Sequence, residues 1–353
     1  MAKNLKELIE QGIVHIAKMP PMNDIDISEI DKLAGYTVPL LKHDYTAKTA
    51  LMWNTLYKKL GLNLRNIMVV ADPVNLPEIF SAFKSDPKYM GGGAGVGLKE
   101  EVIRHLDEIH PDDLKSVNII VKDDGLLKGY NTDSSGLYRI LEEELAKENK
   151  KILGGRFIIL GGGGVAKDFA SILAKNNPER IIIINRTGEK AVAIAHELNS
   201  LYGKSIAYGA DEHMIRGYSM NTEAPPDAII NVSEKGSDNL PTTNAFAASG
   251  PDNNTKSLSL LRDLVYLNPN VVIIDIVNAM KRSITLRFAD SAEDKVKKVK
   301  FSHLINGDPM VIYQGVPAYK LVEKANKGKH PATLQEPEIL DTMRTAVNTY
   351  DFN

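Results

Sequence analysis

The chemistry in this sequence starts at a glycine-rich turn. Phe157-Ile158-Ile159-Leu160 leads into Gly161-Gly162-Gly163-Gly164-Val165-Ala166, and Phe169, Leu173 and Ala174 follow at helical spacing. A strand, a glycine turn and a helix in that order form a dinucleotide fingerprint. Gly161 permits the tight turn, Gly163 leaves room for a pyrophosphate, and Ala166 is small enough for helix and strand to pack closely. The helix N-terminus then offers free N–H groups and the positive end of its dipole to phosphate. The next apolar run decides which dinucleotide fits. NAD sites place Asp or Glu at its end to hold the ribose 2′-OH. This chain has Asn185-Arg186-Thr187 there, with Lys190 just beyond. A carboxylate would repel a 2′-phosphate, whereas the planar fork of Arg and the point charge of Lys bind it. The expected cofactor is NADP. The plainer alternative is an ordinary turn with a solvated Arg186 and Lys190.

Elements that would carry this turn recur along the chain. From about residue 155, short apolar strands alternate with helical patterns: 156–160, 181–184, 228–230 and 271–276 as strands, with a helix over 188–200 between them. All-apolar strands separated by helices predict a parallel sheet covered on both faces. The earlier part reads differently. Residues 3–18 have helical spacing, ended by Pro20-Pro21, and a second helix is expected over 46–61. Strands are expected at 66–70 and 117–121, with a helical stretch at 99–108. The run Gly91 to Gly97 is not read as a second phosphate loop, because no clear strand feeds it and no Gly-Lys-Ser/Thr ends it. Residues 233–257, rich in Ser, Gly, Asn, Pro and Thr, read as a long polar loop.

Composition narrows the classes. The 353 residues are enough for two domains. With 43 basic and 45 acidic side chains the formal net charge is −2, so no basic field exists to hold nucleic acid. There is no cysteine, which removes disulfides and thiolate chemistry. The eight His include no His-x-x-x-His pair, so no metal site is expected. The N-terminus lacks a signal-peptide pattern and no apolar run is long enough to cross a bilayer. A cytoplasmic protein without membrane contact is expected.

The cofactor turns resemble those of shikimate dehydrogenases, and the likeness continues in both directions. Lys99-Glu100-Glu101-Val102 with Leu106-Asp107-Glu108 resembles that family's Lys-containing helix start, and Val117-Asn118 its Ala-Val-Asn-Thr strand. Gly129-Tyr130-Asn131-Thr132-Asp133, then Gly136, is similar to its G-x-N-T-D-x-x-G signature. Asn231-Val232-Ser233 and Gly236 resemble the strand beside the nicotinamide, and Asp275-Ile276-Val277 the strand after it. Gly307, Met310, Gln314-Gly315 and Ala318-Tyr319 match the closing motif. The likeness spans roughly residues 37–325. It implies a role in aromatic amino acid biosynthesis and the catalytic pair Lys99 and Asp133. It also implies cofactor contacts from Gly161, Gly163, Gly164, Val165, Ala166, Asn185, Arg186, Thr187, Lys190, Asn231, Ser233, Gly307 and Met310. Reducing a ketone needs hydride on carbon and a proton on oxygen. An ammonium beside the carbonyl polarises it and supplies the proton, and a carboxylate holds the ammonium in place. Asn118 and Gln314 would bond ring hydroxyls. The plainer alternative for Lys99 and Asp133 is a structural ion pair.

The pattern departs from the family around the substrate. Its Ser-x-Ser-Pro clamp is represented by Ala47-Lys48-Thr49-Ala50. Thr49 replaces one hydroxyl, Ala47 replaces none, and Lys48 or Thr46 would compensate by binding a carboxylate. A substrate-contacting Thr becomes Gly95, a Pro becomes Gly97, and a Tyr becomes Asn278. The resemblance implies 3-dehydroshikimate and shikimate as substrate pair, and these changes point to a related cyclic or polyhydroxylated ketone, of that size or larger.

The expected architecture is two α/β domains: a substrate domain over 1–135 plus 310–353, and a Rossmann-type NADP domain with a parallel sheet over 136–309, with the site in the cleft between them. Trp53 is read as core rather than as a ligand stack. The tail beyond about 327 holds a short helix near Pro337 that packs on the substrate domain or supports a homodimer. Two rival functions use the same scaffold: a methylene-folate or pterin-type dehydrogenase, which the roomy Gly wall allows and the N-T-D signature opposes, and a non-catalytic NADP sensor, which the altered clamp favours and the Lys99–Asp133 pair opposes.

Overall fold

The first helix stops well short of residue 18. In the computed structural model, which describes residues 3–18, 22–112, 114–237, 240, 242–277 and 283–350, α1 covers Leu5–Glu10 and β1 covers Val14–Ile16. Asn4 and Glu7 form a reciprocal capping box at the start of α1. Gly12, at φ +71°, then turns the chain into a conformation that ends it. The helical spacing over 3–18 is therefore two elements, because a left-handed glycine outweighs periodicity. Pro20, Pro21 and Asn278 lie outside the described residues.

The chain divides into two units, residues 1–133 with 311–353, and residues 134–310. The first unit continues with β2 (Gly35–Thr37), β3 (Leu40–Leu41), α2 (Thr49–Lys59), β4 (Leu64–Asn66), β5 (Val69–Ala71), α3 (Leu76–Ser85), β6 (Tyr89–Gly93), β7 (Glu108–His110), β8 (Ile119–Asp123) and β9 (Leu126–Tyr130). Six strands form a mixed sheet in the order β4-β2-β6-β8-β9-β7, and β1-β5-β3 form a smaller one. Two expectations need correction. The single strand over 66–70 is a pair, β4 and β5, in different sheets. The stretch 99–108 is a 3₁₀ turn at Glu101–His105 followed by β7. The glycine run is also strand-fed after all: β6 includes Gly91 to Gly93. It is glycine because β8 and the residue after β2 crowd it: a Cβ on Gly91 would lie 2.4 Å from the Ile120 carbonyl oxygen, and one on Gly92 2.1 Å from the Val38 carbonyl oxygen.

The second unit follows α4 (Asp133–Lys147) with β10 (Arg156–Leu160), α5 (Gly164–Lys175), β11 (Arg180–Asn185), α6 (Gly188–Tyr202), β12 (Ala207–Asp211), α7 (Ile215–Ser219), β13 (Ala228–Asn231), α8 (Asn253–Leu267), β14 (Val272–Asp275), α9 (Ile284–Ala292) and β15 (His303–Ile305). Its sheet is wholly parallel, in the order β12-β11-β10-β13-β14-β15. The Ile and Val side chains of the inner strands are buried, as a sheet covered on both faces requires. Strand order reverses between β10 and β13, and ligands in such sheets bind outside the carboxyl ends at that point.

The polar stretch 233–257 is less of a loop than its composition predicts. Residues 244–247 are buried and α8 starts at Asn253. The Asn253 amide donates to the carbonyls of Asn244, Ala247 and Ala248, and Lys235 pairs with Glu212 at 2.5 Å.

The chain then returns to the first unit through α10 (Asp308–Ala325) and α11 (Glu336–Thr349). Pro337 stands in the first turn of α11, where its missing N–H is harmless. Ile339, Met343 and Val347 pack with Met52 and Leu56 of α2. Trp53 is core, set edge-on to Tyr319 with ring centroids 5.3 Å apart. No helix among the described residues is long and apolar enough to cross a membrane.

Candidate active site

Lys99 follows β6 in the turn that precedes the 3₁₀ segment, and its carbonyl is fixed by the Val117 N–H at 2.8 Å. Asp133 opens α4 directly after β9 and the pair Asn131-Thr132. The hairpin of β8 and β9 brings these two stretches together. Lys99 Nζ lies 2.5 Å from Asp133 Oδ2, with the carboxylate buried and the ammonium partly exposed. The other carboxylate oxygen, Oδ1, accepts from Asn118 Nδ2 at 2.8 Å. The same amide reaches Thr132 Oγ1 at 3.0 Å and Gln314 Oε1 at 3.1 Å. Asn118 Oδ1 in turn accepts the Thr132 N–H at 2.8 Å. The Asp133 N–H is capped by Asn131, whose amide is anchored to Ser116. Lys99, Asp133, Asn118 and Gln314, far apart in sequence, thus form one hydrogen-bonded centre on the first unit.

Chemically this centre is a cation with one face toward solvent and a carboxylate fully engaged behind it. An ammonium so placed can donate to an oxygen in front of it, and the carboxylate keeps it there. Thr132 was not singled out in the sequence, yet it ties Asn118 to Gln314. Its place in an Asn-Thr-Asp stretch at a strand end was the available signal.

Lys48 and Thr49 lie at the start of α2, Lys48 at the cap position with its side chain buried and Thr49 as the first helical residue. Ala47 and Ala50 pack in a small apolar cluster with Ala17, Leu41, Met68 and Val70, and Tyr45 rests against it. Tyr45 also went unnoticed in the sequence, because its neighbours come from four separate segments.

On the second unit, Gly161 ends β10 at φ +132°, and a Cβ there would meet Val232 and Ser233 at 3.2 Å. Only glycine suits that turn. Gly163 caps α5, and a Cβ on it would meet no atom within 4 Å. Space is therefore open at the point where a pyrophosphate approaches, and no side chain caps the helix in its place. Gly164 and Val165 form the first turn of α5, and Ala166 is buried beneath it. Asn185 lies against Gly162 and donates to the Thr187 carbonyl, while Arg186, Thr187 and Lys190 are exposed. Arg186 and Lys190 offer two exposed cations to a 2′-phosphate; no carboxylate stands at 185–188, although the exposed Glu189 lies between the two cations in sequence. Asp211, which neighbours Gly188, uses its carboxylate to cap the His213 N–H.

Asn231 and Ser233 follow from the end of β13. Asn231 Oδ1 accepts from Ser233 Oγ at 2.6 Å, and its amide donates to Asp275 Oδ1 at 3.0 Å. Asp275 is fully buried and also accepts from Ser283 and the Val277 N–H. Burial pushes its carboxyl up to about 6, against these bonds, which act to lower it. Gly307 abuts the Ile276 carbonyl at the end of β14, and Met310 is buried nearby in sequence. The structure brings the Gly161 turn, Asn185 and Ser233 together. It records no contact of Gly307 or Met310 with that turn among the described residues.

The class follows from fold and site: an α/β protein with a dinucleotide-type glycine turn at a sheet switch point and, on its other unit, an ammonium–carboxylate pair suited to proton transfer. A family model described as shikimate / quinate 5-dehydrogenase matches residues 144–208. The shikimate dehydrogenase (NADP(+)) of Methanothermobacter thermautotrophicus is 30% identical over 273 residues, covering 77% of this chain and 84% of that protein. That of Methanocaldococcus jannaschii is 30% identical over 296 residues, covering 82% and 90%. A solved shikimate dehydrogenase in complex with NADP+ superposes with a TM-score of 0.65 at 25% identity, over 89% of this chain and 96% of the other. The 5-ketofructose reductase of Gluconobacter sp. strain CHM43 superposes with a TM-score of 0.62 at 23% identity, over 88% and 98%, a likeness of fold alone. The chain belongs to the shikimate dehydrogenase family and is an oxidoreductase of that type.

Proposed function

We propose that this enzyme interconverts a cyclic polyhydroxy ketone and its alcohol with NADP(H): 3-dehydroshikimate and shikimate, or a larger relative. The observation that carries the reading is the Lys99–Asp133 pair at 2.5 Å within the Asn118–Thr132–Gln314 network. NADPH, when bound, supplies the hydride for the carbonyl carbon. Lys99 Nζ gives a proton to the carbonyl oxygen, and in the oxidative direction takes it from the alcohol. Asp133 holds the ammonium and offsets its charge, and Asn118 holds Asp133. Gln314 and Thr49 bond substrate hydroxyls, and Lys48 attracts a substrate carboxylate.

Cofactor binding falls to the second unit. The Gly161–Ala166 turn and the N-terminus of α5 take the pyrophosphate, and Arg186 and Lys190 take the 2′-phosphate, with Asn185 and Thr187 shaping that loop. Asn231, Ser233, Gly307 and Met310 are assigned to the nicotinamide end.

Ala47 and Gly95 stand where the family resemblance expects hydroxyls, which favours a substrate other than shikimate itself. Ordinary turnover of 3-dehydroshikimate with a low KM would refute that part of the reading. We place the enzyme in the cytoplasm with no nucleic-acid partner. A homodimer, the second role considered for the tail, is tested by light scattering.

The deciding experiment is NADPH absorbance with purified protein. It compares NADP+ with NAD+ and screens shikimate, quinate and other cyclic polyols, with Lys99→Ala as control. Turnover that prefers NADP+ and disappears in the variant is the expected result. Tight NADP(H) binding with no turnover on any polyol would overturn the polyol reading and favour a different substrate chemistry or a sensor.

A further inference from the structure

We propose that Tyr45 is a substrate-binding residue whose phenol hydroxyl, seated against Gly95, donates a hydrogen bond to a substrate oxygen beside the Lys99–Asp133 pair. The proposal rests on the dehydrogenase reading and names a specificity contact within it.

Gly95 is the key to the geometry. A Cβ built on it would lie 2.4 Å from the Tyr45 hydroxyl oxygen, 3.1 Å from the Leu40 carbonyl oxygen and 3.1 Å from Leu41 Cδ2. The hydroxyl therefore occupies the space that any side chain at 95 would take. The loop that holds Gly95 is fixed on two sides. The Gly95 N–H donates to the Leu40 carbonyl at 2.8 Å, and the Ala94 N–H donates to the Asn118 carbonyl at 3.0 Å. Tyr45 thus abuts Gly95 and Asn118 holds Ala94, four and five positions ahead of Lys99. Asp133 is close enough for its charge to act on the phenol.

The ring is held as well. It rests on the cluster of Leu41, Ala47, Ala50, Met68 and Val70, and His43 tilts against its exposed side at 5.7 Å between ring centroids. Ala47 and Gly95 are two of the positions where a family hydroxyl is missing. Gly95 admits the hydroxyl, and the ring packs on the cluster that includes Ala47, so one phenol stands at the side of the site where both hydroxyls are missing. A Tyr hydroxyl both accepts and donates. The Val96 backbone lies near its oxygen, and the phenol proton is its one donor. Burial, and then the Asp133 carboxylate, push the phenol up to about 12, so it keeps that proton at neutral pH. Its partner is accordingly an acceptor oxygen: a ring hydroxyl or a carboxylate of a cyclic polyol acid.

The test uses the full-length enzyme, NADP+ and shikimate, with quinate as a second substrate. Tyr45→Phe keeps the ring and removes the hydroxyl. The expected result is a KM for the polyol about 5- to 50-fold higher, with kcat within about twofold and KM for NADP+ and the thermal midpoint unchanged, since a hydrogen bond of ordinary strength is lost from binding. Gly95→Ala, which displaces the hydroxyl, should raise KM in the same way. The double variant should be no worse than the more affected single one, because both remove one contact. An unchanged KM in Tyr45→Phe, in an enzyme that Lys99→Ala silences, overturns the assignment and leaves the dehydrogenase reading standing. Joint loss of kcat, NADP+ affinity and thermal midpoint also overturns it, as a structural role. A fall in kcat alone would move Tyr45 to the chemical step and overturn it as a binding contact. If the unaltered enzyme turns over neither polyol, the reading of the substrate as a shikimate-like polyol acid fails and takes this proposal with it.

Discussion

Asn118 Nδ2 lies 2.8 Å from Oδ1 of Asp133, so the carboxylate that pairs with Lys99 is gripped from its far side. Asn118→Ala removes that donor from a buried anion and frees Gln314 as well. Hydrogen bonds to charged groups contribute about 1.5–3 kcal/mol. The expected outcome is a kcat lower by roughly 10- to 100-fold, with KM for NADP+ unchanged. Asp133→Asn should be more severe, because the ammonium then loses its partner charge and general acid–base help contributes about 10²- to 10⁴-fold. Steady-state kinetics of both variants decide. An Asn118→Ala enzyme with unaltered kcat would make the contact incidental.

In the proposed reading cofactor choice falls to Arg186, exposed just after β11, and Lys190, exposed in the first turn of α6. Arg186→Ala should raise KM for NADP+ by about 10- to 100-fold while leaving KM for NAD+ within twofold, since only the former carries a 2′-phosphate. Lys190→Ala should act in the same direction and more weakly, as a point charge without a fork. Equal losses for both dinucleotides would refute the assignment.

The sequence was most legible where one local rule governed. The Gly161–Ala166 turn sits where the strand–turn–helix pattern predicts, because a tight turn, an open cap and a small buried residue each leave a one-letter trace. The Lys99–Asp133 pair was reached through resemblance, since its 34-residue separation has no period. The first unit was read less well. Its strands are short, five of them, β1 to β5, only two or three residues before a change of sheet, and such runs carry no usable alternation. Residues 99–108 look helical because charged and apolar residues alternate suitably, yet the Leu127 carbonyl takes the Asp107 N–H and draws the stretch into strand pairing. Tyr45 escaped because Gly95, the residue that admits its hydroxyl, lies fifty positions away and was read as empty wall.

Asp275 should leave a signature in the pH dependence of stability. Its carboxyl is pushed up to about 6 in the fold, against an ordinary value of 3.8. Between these two values the folded protein holds a proton that the unfolded chain has released. Unfolding free energy contributed by this group therefore falls as pH rises from about 4 to about 6, and is constant above that. The size is on the order of 3 kcal/mol. Asp275→Asn keeps acceptors for Asn231 and Val277 and cannot ionise. The variant's stability relative to the unaltered protein should thus rise across that window, measured by urea melts at half-unit steps. A difference that stays flat from pH 4 to 7 would show that the carboxyl is not held protonated.

His303, on β15, joins the second half of α4 to the parallel sheet: Nδ1 lies 2.8 Å from Glu144 and Nε2 lies 2.8 Å from Glu148. Both ring nitrogens are thus engaged by carboxyl groups at the C-terminal end of α4. Lys147 on Glu144 and Asn270 on Glu148 complete the cluster. His303→Ala leaves Glu144, which is nearly buried, without its imidazole partner and with Lys147 as its remaining contact. Removing one partner of a buried pair costs roughly 3 kcal/mol, which for a unit of this size lowers the thermal midpoint by about 6–12 °C. Glu148→Gln, which keeps a hydrogen-bond acceptor at the more exposed position, should cost about 1 kcal/mol. Hydrogen exchange should quicken in α4 for His303→Ala and leave β10 and β11 protected. If the midpoint of His303→Ala falls by less than that of Glu148→Gln, the imidazole is a passenger and the packing of α4 on its apolar side carries the junction.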